Sequence, residues 1–184
     1  MHPRNKVFIA TSLDGYIADR NGGIDFLNEL PIPHDAETGF TKFIAGVDAL
    51  LMGKNTFETL MGFGDVKWPY PVPVFVLSNS MKEIPEKYDG KAFLVSGSLE
   101  EVLKDLHGKG YHHLYIDGGN LIQSFLQADL IDDLIITTIP TLLGGGIPLF
   151  GSLDELLRFD LKESTIYLDT LVQSHYTRVR VIAK

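Results

Sequence analysis

The stretch Tyr115-Ile116-Asp117-Gly118-Gly119-Asn120-Leu121-Ile122 decides the fold. A short apolar strand, Leu114–Ile116, runs through an acid and two glycines into a helix marked by Leu121, Ile122, Phe125 and Leu126. Two adjacent glycines there permit close backbone contact with a pyrophosphate, and the dipole of the following helix favours an anion. Strand, glycine turn and helix in succession make up the repeating unit of an α/β sheet.

The same pattern extends in both directions. Apolar runs of strand length recur at Val7–Ala10, Ala49–Met52, Val74–Leu77, Ala92–Val95, Leu134–Ile139 and Tyr176–Ile182. Several lack polar alternation, as expected of strands covered on both faces. Phe40, Phe43, Ile44 and Val47 form one helical stripe, and Leu99, Val102, Leu103 and Leu106 another, with Ser98 and Glu101 as a capping box. Asn55 with Glu58, and Ser152 with Glu155, offer weaker helix starts. From Ser164 onward, strand-like segments flank a turn at Leu168-Asp169-Thr170. No linker divides the chain, so residues 1–184 read as one α/β domain with a terminal antiparallel hairpin.

Composition narrows the partners. The chain has 184 residues, 45% of them apolar, which suits one globular domain. With 16 basic and 24 acidic residues the net charge is −8, a poor basis for nucleic-acid binding. The absence of cysteine excludes disulfides, thiolate nucleophiles and Cys-bound zinc. The first apolar run stops at Thr11-Ser12, too short for an export signal or a membrane span. A cytoplasmic protein with no membrane partner is expected. The chain lacks G-x-x-x-x-G-K-[ST], an N-terminal G-x-G-x-x-G, G-x-S-x-G and H-E-x-x-H, and its His107, His112 and His113 lack helical metal spacing.

What carries chemistry is a set of strand ends. Ala10-Thr11-Ser12-Leu13-Asp14-Gly15 leads from the first strand into an acid–glycine turn that suits either a ligand or a plain Asx turn. Met52-Gly53-Lys54-Asn55-Thr56 ends a strand and opens a helix with a lysine at its start. Leu77-Ser78-Asn79 ends a strand in hydrogen-bonding residues, and Gly144-Gly145-Gly146 spends backbone entropy that a purely structural loop would seldom need. Ligand crevices of α/β sheets lie beyond the carboxyl ends of strands, where these segments gather.

In this order the motifs resemble the dihydrofolate reductase-like superfamily, and more closely the reductase domain of bifunctional riboflavin-biosynthesis proteins. The resemblance covers nearly the whole chain. It implies a three-layer fold with a mostly parallel central sheet, NADPH as hydride donor, a small heterocyclic substrate of the aminouracil or pterin kind, and a homodimer. By the resemblance, Gly53, Lys54, Asn55 and Thr56 meet cofactor phosphates, with Lys54 near the 2′-phosphate. Leu77, Ser78 and Asn79 lie on the adenosine side, Gly118, Gly119, Asn120 and Leu121 clamp the pyrophosphate, and Ala10 and Thr11 lie near the nicotinamide. The glycine run at 144–146 resembles a loop of riboflavin-type reductases. The zinc deaminase half of the bifunctional proteins has no counterpart in this chain. Folate-reducing members carry an acid on the first helix, where this chain offers Asp35 or Glu37 without a clean match. Asp14 and Glu37 are therefore the candidate proton donors. A non-catalytic nucleotide-binding or ligand-sensing module on the same fold is the alternative.

Overall fold

A computed structural model describes residues 2–27, 37–62 and 68–180. In chain order the elements are β1 (Arg4–Ser12), β2 (Tyr16–Ala18), α1 (Phe40–Ile44), β3 (Ala49–Gly53), α2 (Lys54–Gly62), β4 (Val74–Leu77) and β5 (Ala92–Val95). There follow α3 (Leu99–Gly108), β6 (His113–Asp117), α4 (Gly119–Gln127), β7 (Asp133–Ile139), β8 (Ile147–Pro148), β9 (Phe159–Tyr167) and β10 (Leu171–Arg178). The main sheet has the order β5-β4-β3-β6-β1-β7-β10-β9. Neighbours from β5 to β7 are parallel, and β10 runs antiparallel to both β7 and β9.

Alternation along the strands sorts the core into two layers. Leu50 and Met52 of β3 pack with Ile44 of α1 and Phe57 of α2 on one face. Ala49 and Leu51 pack with Leu106 of α3 and Phe125 of α4 on the other. Strands sandwiched in this way need apolar residues on both sides, which explains their uninterrupted hydrophobic runs. Asp48, just ahead of β3, accepts the backbone amides of His112 and His113 at 2.8 and 2.7 Å. That carboxylate ties the entry of β3 to the entry of β6.

The expected strands at Val74–Leu77 and Ala92–Val95 match the observed bounds, and the Ser98–Glu101 capping box is formed. The terminal hairpin is present, but its last strand begins at Leu171 and ends at Arg178, earlier than expected; Ile182 lies outside the described residues. The helix start at Ser152 and Glu155 is not realised. Only seven residues separate Gly151 from β9, Leu153 and Leu156 are exposed, and so short a helix would not offset its nucleation cost. The helix at Lys54 opens one residue before Asn55, directly from the strand. The pairing of β2 with β8 was not legible, because strands of two and three residues carry no period.

Leu106 is fully buried between α3 and the sheet. Leu106→Ala is expected to cost about 2–5 kcal/mol in urea unfolding without a change in slope. A loss below about 1 kcal/mol would contradict this packing.

Candidate functional site

The direction of the chain crossings positions the site. After β3 the chain moves outward to β4 through α2 on one face, whereas after β6 it crosses β1 to reach β7 through α4 on the other. Strand progression therefore reverses between β3 and β6, whose ends are adjacent, Asp117 standing beside Met52, one residue before Gly53. Such a reversal opens a crevice beyond the strand ends.

Both helices begin at this crevice. Gly118, at φ +98°, is the residue from which α4 springs, and among the described residues no side chain caps that helix. The opening amides of a helix have no partner within it, so this end of α4 is open to an anion. A Cβ on Gly118 would fall 2.2 Å from Oγ1 of Thr56, so the glycine is what lets the start of α4 meet the start of α2. Gly53 is different: nothing lies within 4 Å of where its Cβ would stand, and the floor of the crevice is open there. Lys54 lies at the mouth, partly exposed, with its ammonium 3.6 Å from Glu58. These residues fit a nucleotide diphosphate: an uncapped helix start, a second helix start beside it, an open glycine and a cation.

At the end of β4, where an adenosine contact is expected, Ser78 accepts the amides of Ser80 and Met81, and Asn79 accepts that of Gly97 at 3.1 Å. Both side chains shape the turn that ends β4. Leu77 is partly buried, Asn55 and Asn120 are exposed, and Leu121 is buried beneath α4. Ala10 and Thr11 are neighbours in a strand, so their side chains face opposite sides of the sheet. Ala10 packs towards Phe26 and Ile139, and Thr11 is buried beside Thr138 and Tyr176.

The two expected proton donors are not joined by any hydrogen bond among the described residues. Asp14 accepts the Ser12 hydroxyl at 2.6 Å and the amides of Leu143 and Gly144 at 3.1 and 2.8 Å. The Ser12 bond, with help from those amides, holds its carboxyl below the usual range. Glu37 is exposed and accepts the Thr41 amide at 3.3 Å; its bonds to Thr41 hold it low as well. Asp35 lies outside the described residues.

Asp14 instead anchors the glycine run. Arg20 donates to the Gly144 carbonyl at 2.8 Å, and the Leu149 amide donates to Gly15 at 3.0 Å. A Cβ on Gly146 would lie 2.1 Å from the Ala18 carbonyl oxygen. Gly146 thus has a structural use after all, since it lets loop 140–150 lie against the backbone of the first loop where β8 pairs with β2, and Gly145 leaves room for the Arg20 guanidinium. Ile17 of β2 in turn touches the start of α4 at Gly119, so the pair walls the crevice.

The acid ahead of the two glycines stands apart from the other two. Asp117 ends β6 at the crevice, accepts the Gly118 amide at 2.9 Å, and has Tyr70 and Tyr115 as electrostatic neighbours. The residue keeps some solvent contact, but desolvation of its carboxyl pushes the pKa up to about 6. The signal available in the sequence was an acid at the last position of an otherwise apolar central strand.

A carboxyl raised in the folded state keeps its proton longer than in the unfolded chain, so its contribution to stability falls as pH rises from about 4 to 6. Asp117→Asn is expected to remove that loss, leaving the variant more stable than the parent above pH 6 by on the order of 2–3 kcal/mol. Thermal unfolding across pH checks this, and parallel curves for parent and variant would contradict it.

Comparison with known proteins fits this geometry. The family model described as RibD C-terminal domain matches residues 6–172. Protein YwjB of Bacillus subtilis (strain 168) is 33% identical over 181 residues, covering 97% of this chain and 99% of that protein. A crystal structure from Shewanella sp. PV-4, whose name assigns it to riboflavin biosynthesis, is 52% identical with a TM-score of 0.92, over 96% of this chain and 99% of that one. Dihydrofolate reductase of Enterococcus faecalis, complexed with NADP(H), shares the fold at a TM-score of 0.60 and 18% identity, over 95% of this chain and 96% of that one. The order of strands, the reversal between β3 and β6 and these matches together make the chain a member of the RibD C-terminal domain family, with a dihydrofolate reductase-like fold.

Proposed function

We propose that the protein is an NADPH-dependent reductase of a small heterocycle, of the aminouracil or pterin kind. The observation that carries this reading is the crevice between β3 and β6, where two helix starts, the open Gly53 and the cation of Lys54 converge. Family membership supports the reductase part, and the NADP(H) complex of the Enterococcus protein supports the cofactor through the shared fold.

In this reading the amides of Gly119, Asn120 and Leu121 hold the pyrophosphate, and Lys54 holds the 2′-phosphate together with the start of α2 at Asn55 and Thr56. NADPH, when bound, supplies the hydride from its nicotinamide. The chain orients the two rings and excludes water from between them. Asp117 supplies or relays the proton, because its carboxyl retains a proton nearer neutrality than those of Asp14 and Glu37. Asp14 positions the loop at 143–144 through its amides.

A homodimer and a cytoplasmic location belong to the same reading. Leu13, Phe150 and Leu153 are exposed around a cavity of about 470 Å³ beside β7, a surface that suits a second copy. Sedimentation equilibrium is expected to return twice the chain mass, and the monomer mass would overturn this part. No described helix is long and apolar enough to cross a membrane.

The test of activity follows loss of NADPH absorbance with a panel of aminouracils, pterins and flavins. Oxidation that depends on one of these substrates is expected. Binding without turnover across the panel would point to a ligand-sensing module. Lys54→Ala is expected to lower the preference for NADPH over NADH by about tenfold, because it removes one charge-assisted phosphate contact. An unchanged preference measured by titration would remove Lys54 from the phosphate site.

A further inference from the structure

A cavity of about 520 Å³ lies between α1 and the terminal hairpin, on the same sheet face as α1 but away from the crevice. Strand register builds its floor. Ala10, Thr137 and Gln173 form one row across β1, β7 and β10, Phe8, Ile135 and His175 the next, and Lys6, Asp133 and Thr177 the third. Alternate strand residues share a face, so all three rows point the same way. Gln173 donates to the Thr38 carbonyl and the Thr137 hydroxyl, both at 2.9 Å, and bars the end of the cavity nearest the strand carboxyl ends. The cavity occupies the two rows below that bar, toward the opposite end of the sheet from Gly53 and Gly118. Gly39 closes the same corner, since a Cβ there would stand 2.9 Å from the Tyr167 hydroxyl.

Charge is distributed unevenly in it. Asp133 is nearly buried and fully engaged by Arg4 at 2.8 Å, His175 at 3.0 Å and Thr177 at 2.9 Å. Burial pushes its carboxyl up, and the bonds from His175, Arg4 and Thr177 more than offset this, so it stays ionised and cancels Arg4. Among the described residues Lys6 donates to a neutral acceptor, the Gly46 carbonyl, at 3.0 Å, and has no ion-pair partner. Lys42 has no ion-pair partner among the described residues. Among the described lining residues two lysines therefore face one remaining acid, Glu163, inside a protein whose net charge is −8. Between them lie the rings of Phe8 and Phe43, 4.8 Å apart, and the side chain of Ile135. The volume falls within the usual range of small-molecule sites, and an apolar body with a few placed charges is their usual chemistry.

We propose that this cavity binds a flat ring compound bearing an acidic group, the ring against Phe8 and Ile135 and the acid between Lys6 and Lys42. The site is separate from the cofactor crevice and does not depend on the reductase reading.

Isothermal titration with isophthalate, a flat ring carrying two carboxylates, tests it, with the neutral isophthalamide as control. One saturable site for isophthalate is expected, with the diamide at least about tenfold weaker. The double variant Lys6→Ala, Lys42→Ala is expected to weaken isophthalate by at least about tenfold while NADPH, titrated in parallel, binds as to the parent. Lys42→Ala alone, at an exposed helix position, keeps the test readable if loss of Lys6 weakens the fold. No saturable uptake by the parent, or equal uptake by parent and variants, overturns the proposal. Failure of NADPH binding with isophthalate retained would instead strike only the cofactor reading.

Discussion

Everything about the site depends on the close approach of two helix starts at the ends of β3 and β6. The contact is between Gly118, at φ +98°, and the side chain of Thr56, with no room for a Cβ between them. An ordinary side chain at 118 would meet both penalties at once: a left-handed backbone and a clash with Oγ1. Because the glycine accepts that geometry, α2 and α4 can leave adjacent strands on opposite faces of the sheet. The reversal of strand progression opens the crevice between β3 and β6, and this contact holds the two helix starts together beside it.

The second constraint is a carboxylate used as a clamp. Asp14 binds two amides of loop 140–150 and the hydroxyl of Ser12, which fixes the loop against the first strand. Gly145 and Gly146 remove the side chains that would meet Arg20 and the Ala18 carbonyl and keep the two loops apart. Through β2 and Ile17 this clamp reaches the start of α4, so it shapes the crevice without being part of its floor. Asp14 and Asp117 thus divide the labour of two acids near one site: one is held ionised by donors, the other is kept protonated longer by burial.

Most of the architecture was legible in the sequence because buried parallel strands are continuous in hydrophobicity and helices carry stripes. Val74–Leu77, the Leu99–Leu106 stripe and the Ser98–Glu101 box all declare themselves by local pattern. The crevice was legible as well, since Gly53-Lys54 and Gly118-Gly119 mark strand-to-helix turns. What the sequence hid was long-range. Nothing local distinguishes a glycine run that admits a ligand from one that admits the Ala18 carbonyl, or an Asp14 facing solvent from one facing two amides 129 and 130 residues away. The raised carboxyl of Asp117 is likewise a property of its burial. The cavity beside the hairpin is not legible either, because Lys6 on β1 and Lys42 on α1 meet around it only once the sheet is in register and α1 has packed on it.

The central claim is that the two helix starts form the cofactor's phosphate site. A crystal structure of the protein grown with NADPH tests it most directly. The account predicts the pyrophosphate against the amides that open α4 and the 2′-phosphate beside Lys54. A cofactor bound elsewhere, for instance in the cavity between α1 and the terminal hairpin, would contradict it.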